Sequence, residues 1–294
     1  MLDNSNKRRN ELDLLRIFAV VILIFYHTGM LYVKAWGFHF KSDYQSSSLA
    51  AVMLVVEPWR MSLLWLISGV ALRYALDKYG AWHSVKQRAL RLLLPLIFGV
   101  LVVVPPQLFV EMAGKGQLPG DFSYLDFYRA FWNLDEPLFK AYPYGILPHM
   151  DVNHLWYLRE LFKFSLGLIA LYFIWTKLRM PLAHTRFAQI QLPRSGILMS
   201  ALLASSLVVL DIVHLDERET VGALFLVAGF TLAKHAEFWQ SLYELRRRYL
   251  SAALILFPAL ICIYIYVYLV PERMAQPWAD PLSAVVYRSY AICC

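Results

Sequence analysis

Arg16 and His27 stand eleven residues apart in a run that is otherwise almost entirely apolar. On an α-helix that spacing returns the two side chains to within about 20° of one azimuth and parts them by roughly 16 Å along the axis. A guanidinium and an imidazole so placed suit a long ligand, anionic at the arginine and reactive at the histidine. Burial favours the neutral imidazole, which can take a proton as a general base or attack as a nucleophile. The same pair also fits a snorkelling arginine and a packing histidine hydrogen-bonded to a neighbouring helix.

Three further groups of polar residues interrupt apolar runs. Ionisable side chains at membrane depth cost several kcal/mol, so each is a candidate for function. Glu57 and Arg60 flank Pro58-Trp59 at i,i+3 spacing. They can pair with each other, or one can bind substrate or orient His27. His154 opens the segment Asn153-His154-Leu155-Trp156-Tyr157, with Arg159, Glu160 and Lys163 close behind. It reads either as an interfacial helix start with belt aromatics or as the outer wall of a site. Arg88 and Arg91 precede Pro95. They suit an anchoring pair at a membrane interface or a phosphate-binding pair.

The elements that must position these residues follow from composition. The chain of 294 residues is 59% hydrophobic and 17% charged, against roughly 45–50% and about 25% for soluble domains. The apolar residues run together in stretches long enough for a bilayer core, which needs about 20 helical residues. Helical spans are expected at 14–33, 49–76 (interrupted at Glu57-Pro58), 90–110, 155–175, 196–213, 221–233 and 250–270. An eighth begins near Leu282. Stretches such as 250–270 are apolar on every face and lack the alternation of barrel strands. The expected fold is therefore all-α, a polytopic transmembrane helix bundle of seven complete helices and the start of an eighth. The first run is long and no small-residue cleavage pattern follows it, so a span is expected there rather than a cleaved signal.

Most of the 28 Lys and Arg residues fall at the N-terminus and in the connections that share its side, among them Lys7, Arg8, Arg9, Lys78, Lys86 and Arg246 to Arg248. The N-terminus is thus expected in the cytoplasm, with the chain in the cell's inner (plasma) membrane. The same topology accounts for the net charge of +7 without nucleic acid. Connection 111–153, on the outer side, is too long for an idle loop and is expected to be ordered. Cys262, Cys293 and Cys294 have no ligand spacing, so neither a disulfide framework nor a metal centre is expected.

Read in order, these segments resemble the membrane acyltransferase-3 family. Arg9-Asn10-Glu11-Leu12-Asp13-Leu14-Leu15-Arg16, then Ala19 and Tyr26-His27, is similar to that family's opening, in which an arginine and a histidine are separated by ten residues. Trp59-Arg60-Met61 and Trp65-Leu66-Ile67-Ser68-Gly69 resemble its second helix, and Arg88, Arg91 and Pro95 its approach to the third. His154-Leu155-Trp156-Tyr157-Leu158 is similar to a segment of the branch that contains the periplasmic-glucan succinyltransferase.

The resemblance implies a single membrane-embedded domain over residues 1–294 that moves an acyl group from cytoplasmic acyl-CoA to a hydroxyl of an extracytoplasmic glycan. The lipid bilayer, acyl-CoA and the glycan acceptor are its implied partners. Acyl-CoA is a co-substrate and no bound cofactor is implied. His27 becomes the catalytic residue. Arg16, Arg88 and Arg91 hold the acyl donor, and Glu57, Arg60 and His154 act on the acceptor or as orienting groups. Relatives use about ten helices, so a domain incomplete at its C-terminal end is expected, and an inactive fragment is one alternative. A transporter lined by the same buried polar groups is another.

Overall fold

The computed structural model describes residues 10–34, 36–142, 149–150, 152–182, 217–268 and 279–294. These are helical nearly throughout, and the described residues contain no strand. Helix α1 (Asn10–Met30) is followed by a short α2 (Leu49–Met53) and a long α3 (Glu57–Arg88). Then come α4 (Leu94–Phe98), α5 (Val104–Gly114), α6 (Tyr124–Phe131), α7 (Trp156–Leu182), α8 (Glu217–Leu232), α9 (Ala236–Ile263) and α10 (Ala279–Cys293).

The expected break near Glu57-Pro58 separates α2 from α3, with Pro58 in the first turn of α3. Proline is tolerated there because its missing N–H would have had no helical partner. The carbonyl of Val55, just ahead of α3, accepts from Trp59 Nε1 at 2.8 Å and from Tyr290 Oη at 2.9 Å.

Gly80 (φ 79°) lies within α3 and turns the chain, a conformation that L side chains rarely adopt. Beyond it the chain comes back on itself, so that Arg88 reaches the Ser68 carbonyl at 3.0 Å. The stretch after Arg88 departs from the uninterrupted helix expected at 90–110. Two wide π-turns, Ala89–Leu93 and Gly99–Val103, divide it around Pro95 and Pro105-Pro106. Each proline removes a backbone donor and crowds the carbonyl four residues back, and a widened turn relieves that clash.

Three stretches among the described residues are long and apolar enough to cross a membrane: Glu11–Met30, Leu49–Gly114 and Ala236–Tyr266. The last begins well before the expected start at residue 250, because Glu237, Glu244 and Arg246 to Arg248 are good helix formers that hydropathy ignores. The sixth expected helix, 221–233, is present as α8, extended at its N-terminal end. Helix α7, at 27 residues, is about 40 Å long and also exceeds the bilayer core. The fifth expected helix, 196–213, lies outside the described residues.

The tightest packing joins α3 to α8. A Cβ on Gly69 would lie 2.1 Å from the Leu226 carbonyl oxygen, and one on Gly229 would lie 2.0 Å from that of Leu66. Only glycine allows backbones to approach so closely, the usual device for helix contacts in lipid. Trp65 is 1% exposed in this seam and packs with Leu161, Val221 and Leu226. By contrast Leu14, Ile17, Phe18, Ile24 and Phe25 of α1 are widely exposed. An apolar surface of that kind suits lipid contact.

The connection 111–153 is ordered where it is described. Ser123 caps α6 by accepting from the Asp126 N–H. Phe127, Phe131 and Phe139 then close on Leu108, Met112 and Met150 to form a small core of their own. His149 is sealed within it, stacked on Phe139 at 4.0 Å and bonded through Nε2 to the Phe131 carbonyl at 2.7 Å.

Candidate active site

A cavity of about 740 Å³ opens between α1, α3, the π-turn Ala89–Leu93 and the start of α7. Arg16, Gln87, Arg88 and Arg91 contribute to its lining, as do His27, Thr28 and His154. Val20, Leu23, Leu64, Ala71, Leu72, Ala75, Leu158 and Leu161 supply apolar wall. Along α1 the order runs from Arg16 through Val20, Leu23 and Ile24 to His27 and Thr28. The cavity thus has an arginine end and a histidine end, with apolar wall between them.

Helix geometry explains why α1 can serve both ends. Arg16, Val20, Leu23, Ile24, His27 and Thr28 recur at spacings of three and four, so they share one face. Arg88 comes from the end of α3 and Arg91 from the first π-turn. Arg88 is anchored where its Nη2 donates to the Ser68 carbonyl at 3.0 Å. The Ser68 hydroxyl lies 3.1 Å from the Tyr157 hydroxyl, which ties α3 to α7 beside the cavity. Three guanidinium groups lining one cavity suit a polyanion such as a chain of phosphates.

The histidine end has defined protonation geometry. His27 Nδ1 lies 2.8 Å from the Leu23 carbonyl. A carbonyl can only accept, so Nδ1 holds a hydrogen, and in the neutral ring Nε2 carries the lone pair. His154 sits in a short 3₁₀ turn (Asn153–Leu155) ahead of α7. Its Nδ1 donates to Gln107 Oε1 on α5 at 2.9 Å, which leaves Nε2 as its acceptor too. Burial, then His27, then His39 push the His154 pKa below the usual histidine value, which favours the neutral ring.

The remaining two residues singled out from sequence lie elsewhere. Glu57 and Arg60 are not among the residues that line this cavity. The Glu57 carboxylate accepts from the Tyr287 hydroxyl of α10. Arg60 donates to the Glu57 carbonyl at 2.9 Å and lays its guanidinium 3.4 Å over the Tyr26 ring. Tyr26 precedes His27 on α1, so this junction touches the catalytic candidate through its neighbour. Glu160 is fully buried and accepts from Arg159 Nε at 2.5 Å and Lys163 Nζ at 2.7 Å.

Sequence reasoning overlooked Gln107. It is the uncharged polar residue within the apolar run 90–110, and that isolation was a readable signal. His39 and Glu111, bonded at 2.8 Å, were also overlooked. Their contact spans 72 positions, beyond any local pattern. No group of three or more His, Cys, Asp or Glu among the described residues is arranged to hold a metal ion.

Residues 9–294 match the model of an acyltransferase domain family, the acyltransferase-3 family. No curated protein and no solved structure matches the chain. The chain belongs to this family and is a membrane acyltransferase, moving acyl groups other than aminoacyl groups.

Proposed function

We propose that this acyltransferase takes its acyl group from cytoplasmic acyl-CoA and delivers it to a hydroxyl of an extracytoplasmic glycan. The observation that supports this most directly is that Arg16, Arg88 and Arg91 line the same cavity as His27 and His154. The phosphates of acyl-CoA would meet the three arginines. The pantetheine arm would follow the apolar wall for the roughly 16 Å that separates Arg16 from His27 along α1. The thioester would then lie beside His27 Nε2.

The arginine end faces the cytoplasm in this reading, with the N-terminus on the same side of the inner membrane. His27 is the catalytic residue, its bare Nε2 serving as base or nucleophile. His154 stands at the acceptor end. Arg60 and Glu57 orient His27 indirectly, by bracing Tyr26 and α10.

The test is incorporation of labelled acyl groups into envelope glycans by membranes that contain the chain, followed by mass spectrometry. Incorporation is expected with the native chain and not with His27→Ala. Equal incorporation by both would remove His27 from the reaction. Label recovered only in lipid or protein would remove the glycan.

A further inference from the structure

Helix α5 presents two acceptors one turn apart, Gln107 and Glu111, and each holds a histidine by Nδ1. Gln107 takes His154 at 2.9 Å, and Glu111 takes His39 at 2.8 Å. The pairs differ in charge. Glu111 is a carboxylate that also receives Lys115 Nζ at 2.6 Å, whereas Gln107 is a neutral amide. A carboxylate beside Nδ1–H stabilises the imidazolium, while an amide fixes the tautomer without that stabilisation. Of the two histidines, His154 lines the cavity.

We propose that Gln107 is a positioning residue: it holds His154 neutral, with Nε2 presented to the cavity, so that His154 receives the hydroxyl proton of the acyl acceptor. This rests on the acyl-transfer reading above. In the step itself the acceptor O–H bond breaks and its proton goes to His154 Nε2. The acceptor oxygen forms the new C–O bond to the acyl carbon. The bond from that carbon to its leaving group breaks, and its electron pair stays with the leaving atom. With His154 as the base, His27 is the nucleophile of the first step, so that atom is His27 Nε2, to which the acyl group passed when the thioester C–S bond broke. The proton then passes from His154 to water or to the thiolate released in that first step.

The titratable groups near His154 are His27 on α1, His39 on the connection after α1, and Glu111, which lies on α5 with Gln107. Arg16, Arg88 and Arg91 line the same cavity. None of these supplies Nδ1 with a carboxylate, so a glutamate at position 107 would do what no native neighbour does.

The experiment uses membranes bearing the full chain, labelled acetyl-CoA and succinyl-CoA as donors, and label in the glycan fraction as readout across pH 5 to 9. For Gln107→Glu the acid limb of the rate profile moves to higher pH, because the imidazolium is stabilised. For Gln107→Leu, kcat falls roughly 10- to 100-fold, as when groups that orient a reactive histidine are lost, with the donor KM unchanged. His154→Gln lowers kcat and makes the profile insensitive to the residue at position 107. A Gln107→Glu profile that superimposes on the native one, with His27→Ala still inactive, overturns the role of Gln107 alone. Activity retained by His27→Ala overturns the underlying reading instead. Gln107→Glu preserves side-chain shape, so it decides the matter even if Gln107→Leu fails to fold.

Discussion

Tyr26 and His27 are neighbours in sequence, yet they serve two different polar regions. Successive helical residues point about 100° apart. His27 therefore lines the cavity, while Tyr26 faces the junction of α1, α3 and α10. In the junction the polar groups are spent on one another: Arg60 on Tyr26 and the Glu57 carbonyl, Tyr287 on the Glu57 carboxylate, Tyr290 on the Val55 carbonyl. In the cavity each histidine spends only Nδ1, on a fixed acceptor, and keeps a lone pair on Nε2. Both regions answer the cost of polar groups at membrane depth. One does so largely by mutual pairing, with only the buried Arg60 Nε left without a partner there among the described residues, and the other leaves capacity for a ligand.

The largest effect that tests this contrast is at His27. His27→Ala is expected to lower kcat for acyl transfer at least about 100-fold, the low end for removing a general base. Thermal unfolding of that variant in detergent should stay close to native. A large fall in its melting temperature would place His27 with the stabilising groups of the junction instead.

Arg88→Gln and Arg91→Gln come next. A charge-assisted contact to phosphate is worth about 1.5–3 kcal/mol, so each change should raise the acyl-CoA KM roughly tenfold or more. The native KM should also rise with ionic strength, because salt weakens such contacts. Titration of donor binding at low and high salt checks both points.

The junction should respond in the opposite sense. Glu57→Gln weakens the bond from Tyr287 and is expected to lower unfolding stability by about 1 kcal/mol, with the acyl-CoA KM unchanged. A change confined to KM, with stability intact, would move Glu57 into the donor site.

The smallest effect is at Lys115, outside the spans. Its bond to Glu111 raises its pKa above the usual lysine value. A raised pKa contributes stability that is fully present below the unfolded value and is lost as pH rises through the folded one. The ammonium is half exposed, so the pair contributes less than about 1 kcal/mol. Native and Lys115→Ala melting curves should therefore differ slightly at neutral pH and converge above about pH 10.5. His154 has the reverse sign. Its pKa is lowered, so acidification below the ordinary histidine value of about 6.5 destabilises the fold as the unfolded chain gains a proton that the folded ring resists.

Helical periodicity and hydropathy made most of the scaffold legible. Span lengths, the break before Pro58 and the shared face of Arg16 and His27 all follow from the pitch of one helix and the thickness of a bilayer. Boundaries were less legible where charged helix formers extend a span into water, as at the start of α9. The turn at Gly80 and the π-turns around Pro95 and Pro105 were not read either, because hydropathy does not register backbone geometry.

By itself, then, the sequence determined that the chain crosses a membrane as helices and that one helix carries an arginine and a histidine in line. It could not determine which other helices face that line. Gln107 meets His154 across 47 positions, and Tyr287 meets Glu57 across 230. Such pairings depend on which helix faces come together, and in lipid that is set by close contacts such as Gly69 and Gly229 rather than by hydrophobicity, which every face shares. Only the packed structure brought Arg88, Arg91 and His154 to the cavity of Arg16 and His27, and turned Glu57 and Arg60 into the adjoining junction.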